Sequence, residues 1–101
     1  LSFKDLLLSA KKMMKEDSRF ALVLPFYESR LFIKEAEQLG FYLQKEMHII
    51  PIEGKDANRV NMQFVSNEVD HVETECLTIR NKDYSYTEEY REFLKDYYLD
   101  F

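Results

Sequence analysis

The sequence predicts a single α/β domain: helix, strand, helix, antiparallel hairpin, extra strand, helix. Three observations carry this prediction. A continuous apolar run at residues 20–25 lies between two segments with helical spacing, as does a buried strand of a parallel sheet. Residues 41–52 and 59–66 alternate apolar and polar across a turn, which is typical of a hairpin. The length of 101 residues and an apolar fraction of 46% suit one domain with its own core.

The first predicted helix runs from Ser2 to about Glu16, and Ser2 and Asp5 have the spacing of a capping box. Its apolar residues recur as one buried stripe, namely Phe3, Leu6, Leu7, Ala10, Met13 and Met14. The strand at 20–25 follows, and its lack of alternation predicts an interior strand that is buried on both faces.

Residues 28–39 return to helical spacing, and Gly40 stands where a left-handed helix cap is expected. In the strand at 41–52, we expect two opposed faces: Phe41, Leu43, Met47 and Ile49 on one, and Tyr42, Gln44, Glu46 and His48 on the other. The loop at 53–58 has turn chemistry, and residues 59–66 form the returning strand. The unit at 20–50 is then a parallel crossover, for which a right-handed connection is expected.

A third alternating run at 72–80 predicts the extra strand, and residues 81–83 a further turn. Thr87 is a suitable N-cap for the closing helix. The apolar positions of this helix recur at offsets of 3, 4, 7 and 11 residues: Tyr90, Phe93, Leu94, Tyr97 and Phe101. A stacking platform for bases is the alternative role for these tyrosines, but their spacing favours the core.

Composition excludes several classes of site. The two glycines, Gly40 and Gly54, are too far apart for a glycine-rich phosphate loop. Cys76, as a single cysteine, cannot form an internal disulfide, and no apolar stretch is long enough to span a membrane. His48, His71 and Cys76 lack the spacing of metal ligands, so we expect no metal site. His48 is expected to face solvent and Cys76 to pack as a small apolar residue. A cytoplasmic protein is the expectation.

The net charge of −5 comes from the tail, because residues 1–65 hold 10 basic and 9 acidic side chains. The candidate RNA-binding residues are Lys55 and Arg59 at the hairpin, with Arg30 and Lys34 on the second helix. An ordinary solvated turn is the alternative and is favoured by the usual exposure of polar loops.

Two further features leave alternatives open. Phe26 and Tyr27 follow the strand at 20–25, where they can stack on a base or cofactor ring; packing against the next helix is favoured. Glu73 and Glu75 share one strand face, where a solvated surface is favoured over an acid–base pair.

Four strings together resemble the C-terminal part of the bacterial tRNA (adenine-N6)-methyltransferases. They are Ala21-Leu22-Val23-Leu24-Pro25, Ala36-Glu37-Gln38-Leu39-Gly40, the segment from Pro51 to Phe64, and Tyr86-Thr87-Glu88-Glu89-Tyr90 continuing to Leu99. The resemblance covers essentially the whole chain. It implies a Rossmann-like class I fold in which residues 20–25, 41–50 and 59–65 supply the fifth, sixth and antiparallel seventh strands.

The resemblance also implies S-adenosylmethionine as cofactor and tRNA as substrate of the parent enzyme. The two chemical motifs of the family, a glycine-rich cofactor loop and an Asn-Pro-Pro segment, do not occur here. We therefore expect residues 1–101 to be a fragment that lacks the N-terminal cofactor-binding half, and a first residue of Leu1 fits a fragment. We expect this fragment to contain no catalytic, cofactor-binding or metal-binding residue. The alternative is a stand-alone RNA-binding or protein-interaction domain. We further expect the fragment to dimerise or swap a segment through strand 20–25, and to have no membrane contact.

Overall fold

The fold is seen in a computed structural model that describes residues 2–13 and 19–97. The predicted order of elements is confirmed. In chain order they are α1 (Phe3–Met13), β1 (Arg19–Pro25), α2 (Phe26–Gln38), β2 (Tyr42–Ile52), β3 (Arg59–Val65), β4 (Glu73–Arg80) and α3 (Glu88–Tyr97). The predicted extension of the first helix through Met14 to Glu16, and the predicted core role of Phe101, lie outside the described residues.

The four strands form one sheet in the order β1-β3-β2-β4. β3 runs antiparallel to both β1 and β2, so β1 and β2 are parallel to each other with β3 between them. β4 pairs parallel with the far edge of β2. The predicted hairpin is therefore confirmed, and the crossover through α2 connects two parallel strands that are not neighbours.

Side chains close the N-termini of two helices as their sequences predict. The Ser2 hydroxyl accepts a hydrogen bond from the Asp5 amide at 3.1 Å, and the Asp5 carboxylate accepts one from the Ser2 amide at 3.4 Å. At α3, the Thr87 hydroxyl accepts a bond from the Tyr90 amide at 3.1 Å. These bonds satisfy amides that have no partner inside the helix.

The two glycines are used to turn the backbone. Gly40 has a φ of +86°, and the amides of Gly40 and Phe41 donate to the carbonyls of Glu37 and Ala36, which is the Schellman pattern at the end of α2. Gly54 has a φ of +88° in the hairpin loop, a value that glycine adopts without strain. The predicted cap at Gly40 is confirmed.

The hydrophobic core lies between the sheet and the layer formed by α1 and α2. Phe64, on β3, packs at a ring-centroid distance of 5.3 Å from Phe20 of β1 and from Phe32 of α2. The buried members of this cluster are Leu7, Phe32, Ala36, Phe41, Val60, Met62 and Phe64. Leu6 and Met13, expected in the buried stripe of α1, are instead 42% and 84% exposed.

The expectation of two regular faces on β2 is wrong, because the register with β3 shifts between Leu43 and Lys45. Leu43 pairs with Phe64, whereas Glu46 pairs with Met62 two residues earlier on β3. Gln44 is thus the extra residue of a β-bulge. It places Glu46 and His48 on the same face as Phe41 and Leu43, toward the helices, and Met47 and Ile49 on the opposite face.

The prediction of an interior strand at 20–25 is also wrong for the described chain. β1 is an edge strand of the sheet, and exposed and half-buried residues alternate along it. Phe20, Leu22 and Leu24 face the core, while Val23 on the other face is 48% exposed. An apolar run shows that both faces of a strand can be buried, but it does not show whether a layer covers each face. In the described chain, the outer face and the free edge of β1 are uncovered.

Candidate nucleic-acid interface

The junction between β1 and α2 meets the base of the hairpin. β1 ends at Pro25, and the amide of Phe26 donates to the carbonyl of Asn58 at 3.0 Å. Arg59, the next residue, pairs with Pro25 across the β1–β3 ladder. Ligand crevices of open α/β sheets lie beyond the carboxyl ends of their parallel strands. This junction is therefore the place in the described chain where a ligand is expected.

A buried carboxylate organises the polar side chains beneath the junction. Glu46 is 7% exposed, and its Oε1 lies 3.2 Å from Nη2 of Arg30 and in direct contact with Nε2 of His48. The Nε of Arg30 also donates to the Ser29 hydroxyl at 3.1 Å. A buried charge must be paired to be tolerated, and Arg30 pairs with Glu46 while His48 supplies a further polar contact. The expectation that His48 faces solvent is wrong, because the bulge places it, together with Glu46, on the side of the sheet that faces the helices.

Two consecutive aromatic residues at the start of α2 reach the surface, and the first of them contacts this cluster. The Phe26 ring is 36% exposed, with the Arg30 guanidinium 5.0 Å from its centroid and the His48 ring edge-on at 5.4 Å. Tyr27 is 72% exposed. The favoured interpretation, packing against the next helix, is therefore wrong for Tyr27, whereas Phe26 does contact a side chain of α2.

The four predicted RNA-binding cations lie on two elements of the fold. Arg30 and Lys34 lie one turn apart on α2, and Lys55 and Arg59 lie on the hairpin. Arg30 is engaged with Glu46, while Lys34, Lys55 and Arg59 are exposed. Within residues 19–97, the other ion pair that involves a lysine or arginine joins Lys45 to Glu73 of β4 at 3.8 Å.

The opposite face of the sheet has a groove of about 360 Å³. It is lined on β1 by Ala21, on β2 by Met47, on β3 by Gln63, and on β4 by Glu73 and Glu75. The exposure of the two glutamates fits the solvated strand face that the sequence favoured. Along residues 2–13 and 19–97, no helix covers the β1 half of this groove.

Cys76 is exposed on β4, so its expected packing as a small apolar residue is wrong. No group of three His, Cys, Asp or Glu side chains in the described part of the chain could hold a metal ion. The described helices include none that is long and apolar enough to cross a membrane.

The described residues do not fit a nucleotide-type cofactor site. Such sites use glycines at a strand-to-helix turn, where backbone amides approach the ligand. Here Gly40 ends a helix and Gly54 turns a hairpin, while Pro25 and Phe26 occupy the β1–α2 turn. Pro25 has no amide hydrogen to donate.

Comparison with known proteins gives concordant results for sequence and fold. No family model matches the chain. A tRNA1(Val) (adenine(37)-N6)-methyltransferase of Trichodesmium erythraeum is 30% identical over 101 residues, and one of Pseudoalteromonas translucida is 32% identical over 99 residues. The first match covers 100% of this chain and the second 98%, but each covers only 42% of the relative. The chain thus spans less than half the length of the curated relatives it matches.

A solved structure supports the same fold. The crystal structure of a predicted O-methyltransferase from Agrobacterium tumefaciens superposes with a TM-score of 0.67 at 15% identity, covering 93% of this chain and 44% of that protein. The α/β prediction, as the C-terminal part of a Rossmann-like sheet, is confirmed. Over its whole length the chain is similar to the C-terminal part of the bacterial tRNA (adenine-N6)-methyltransferases, as its sequence indicates.

Proposed function

We propose that this chain is the C-terminal portion of an S-adenosylmethionine-dependent methyltransferase that acts on N6 of an adenine in tRNA. The observation that carries the proposal is the match over the full chain to enzymes named for that reaction. The fold supports it, because an antiparallel β3 lies between parallel β1 and β2, the arrangement expected of the fifth, seventh and sixth strands. A cytoplasmic location follows from a tRNA substrate.

Within that enzyme, the chain completes the sheet and supplies neither a catalytic residue nor a cofactor site. The misfit of Gly40, Gly54 and Pro25 to a cofactor loop supports this division of labour. S-adenosylmethionine then binds to the part of the enzyme outside these residues, and the chain alone binds none. Methyl transfer depends on positioning the adenine amine against the cofactor, which this chain alone cannot do.

We further propose that Lys55, Arg59, Arg30 and Lys34 contact the RNA backbone. The exposure of three of these side chains supports phosphate contacts that do not depend on sequence. Arg30 contributes less than the others, since its charge is already paired with Glu46.

Methyl transfer from labelled S-adenosylmethionine to unmodified tRNA tests the enzymatic proposal. We expect turnover by the whole polypeptide that contains this segment, none by the 101 residues alone, and no heat of cofactor binding to the latter by calorimetry. Turnover by the 101 residues would contradict the proposal. An inactive whole polypeptide that binds tRNA with a steep salt dependence would favour a stand-alone RNA-binding domain.

The isolated chain is proposed to dimerise or swap a segment through strand 20–25. The support is the free edge of β1 together with Val23, 48% exposed beside the open groove, because unpaired apolar edges recruit other chains. Light scattering should give a dimer mass, and Val23→Lys should give a monomer with unchanged circular dichroism. A monomer of the unaltered chain at high concentration would contradict the proposal.

A further inference from the structure

Phe26 and Tyr27, which we call the β1–α2 platform, are exposed at a position where exposure needs an explanation. An aromatic ring contributes most to stability when it is buried. Tyr27 nevertheless leaves 72% of its surface to solvent at the first turn of α2.

The other ring of the platform is held in place. The Arg30 guanidinium lies 5.0 Å from the Phe26 centroid, and the His48 ring meets it at an interplanar angle of 82°. Both polar groups are fixed in turn by the buried Glu46. Phe26 is therefore oriented by a charged network that extends into the domain. A fixed ring loses little conformational entropy when a flat ligand binds beside it.

Positive charge lies along the same helix and on the adjoining hairpin. Arg30 and Lys34 follow Tyr27 by three and seven residues, so all three lie on neighbouring turns of one face of α2. The bond from the Phe26 amide to the carbonyl of Asn58 fixes the hairpin, with exposed Arg59, against the platform. Exposed aromatic rings beside cationic side chains are the combination that binds single-stranded nucleic acid, by stacking and by phosphate contact.

We propose that Tyr27 stacks on an unpaired base of the RNA, beside the fixed position of Phe26 in the chain, while Lys34 neutralises a neighbouring phosphate. The stacking role rests on the proposed function, since it assumes that RNA is the ligand. It adds a residue, Tyr27, that would distinguish unpaired from paired bases. A duplex hides its base faces, so the platform selects a loop over a helical stem.

The test measures binding of the 101-residue chain to a synthetic anticodon stem-loop RNA that carries 2-aminopurine in its loop, whose fluorescence reports stacking. Tyr27→Leu keeps an apolar side chain and removes the aromatic face, whereas Tyr27→Phe keeps that face. We expect Tyr27→Leu to weaken binding about 5- to 10-fold, the lower part of the range for one stacked base, and to abolish the fluorescence change. Tyr27→Phe should retain both within about twofold.

Lys34→Gln is the matched electrostatic control on the same helix face. It should lower the slope of log affinity against log salt by about 0.7, the value for one single-strand phosphate contact, whereas Tyr27→Leu should leave that slope unchanged. Circular dichroism confirms that each variant folds, as the exposure of both positions predicts.

The outcomes separate this inference from the function on which it rests. Unchanged affinity and fluorescence in Tyr27→Leu, with RNA binding by the parent chain intact, overturns the stacking role alone. No RNA binding by the parent chain at low salt overturns the RNA contact and the stacking role together. A Tyr27→Leu variant that alters only the oligomeric state assigns the platform to contact with protein and overturns the inference.

Discussion

Deletion of Gln44 tests the assignment of the two faces of the sheet. Gln44 is the extra residue of the bulge, because Leu43 pairs with Phe64 and Lys45 with Gln63. Without it, residues on both sides keep their partners on β3, and the strand alternates regularly. Pairing with β4 begins at Lys45 and is also unaffected. We expect the deletion variant to fold.

The expected loss of stability is small. The deletion removes the side-chain hydrogen bond that Nε2 of Gln63 donates to Oε1 of Gln44 at 2.5 Å. A bond of this kind contributes about 0.5–1.5 kcal/mol, so the free energy of unfolding should fall by about 1 kcal/mol. Urea unfolding followed by circular dichroism, with an unchanged denaturant slope, measures this change.

Deletion of Met47 is the matched control, since it also removes one residue from β2. It moves His48 out of register with Val60 and Ile49 out of register with Leu77, and it reverses the faces of the residues that follow. We expect this variant to show no cooperative unfolding transition. That result corresponds to a loss of more than about 5 kcal/mol in the free energy of unfolding, which is the lower end of the stability of natural domains. Equal damage from the two deletions would refute the bulge assignment.

The remaining predictions concern the core, a helix cap and pH, each read from urea unfolding. Phe64→Ala should cost about 3–5 kcal/mol because Phe64 is fully buried, and Leu31→Ala less than about 2 kcal/mol because Leu31 is already 43% exposed. Thr87→Val removes the cap of α3 and the bond that the Thr87 hydroxyl donates to the Thr78 carbonyl, and should cost about 1–3 kcal/mol, which Thr87→Ser should largely avoid. Hydrogen bonds from Ser85 hold the pKa of Asp83 below its ordinary value of 3.8, so Asp83 stabilises the fold above that pH and loses this effect as pH falls. Ser85→Ala should therefore lessen the acid-induced loss of stability; an unchanged pH dependence would contradict this.

The errors of sequence interpretation at the candidate site share one cause. The polar run Gln44-Lys45-Glu46 interrupts the alternation of residues 41–52, and Gln44 has no partner in the register with β3. A bulge is a property of two paired strands, and an interrupted alternation does not show which residue is the extra one or which face the following residues take. Every inference about Glu46 and His48 depended on that face assignment. The buried Glu46 cluster, which orients Phe26, was thus beyond reach of sequence patterns.

The sequence alone was enough to determine the identity and order of the elements and the similarity to the methyltransferases. It also determined the helix caps at Ser2, Gly40 and Thr87. Each depends on residues close together in the chain or on their linear order, which periodicity and capping chemistry record directly. The tertiary structure decided the rest. It placed β1 at the edge of the sheet, left Tyr27 at the surface, and brought Glu46 to Arg30 across 16 residues. Such features depend on which strand lies beside which and on what covers each face, and no local pattern carries that information.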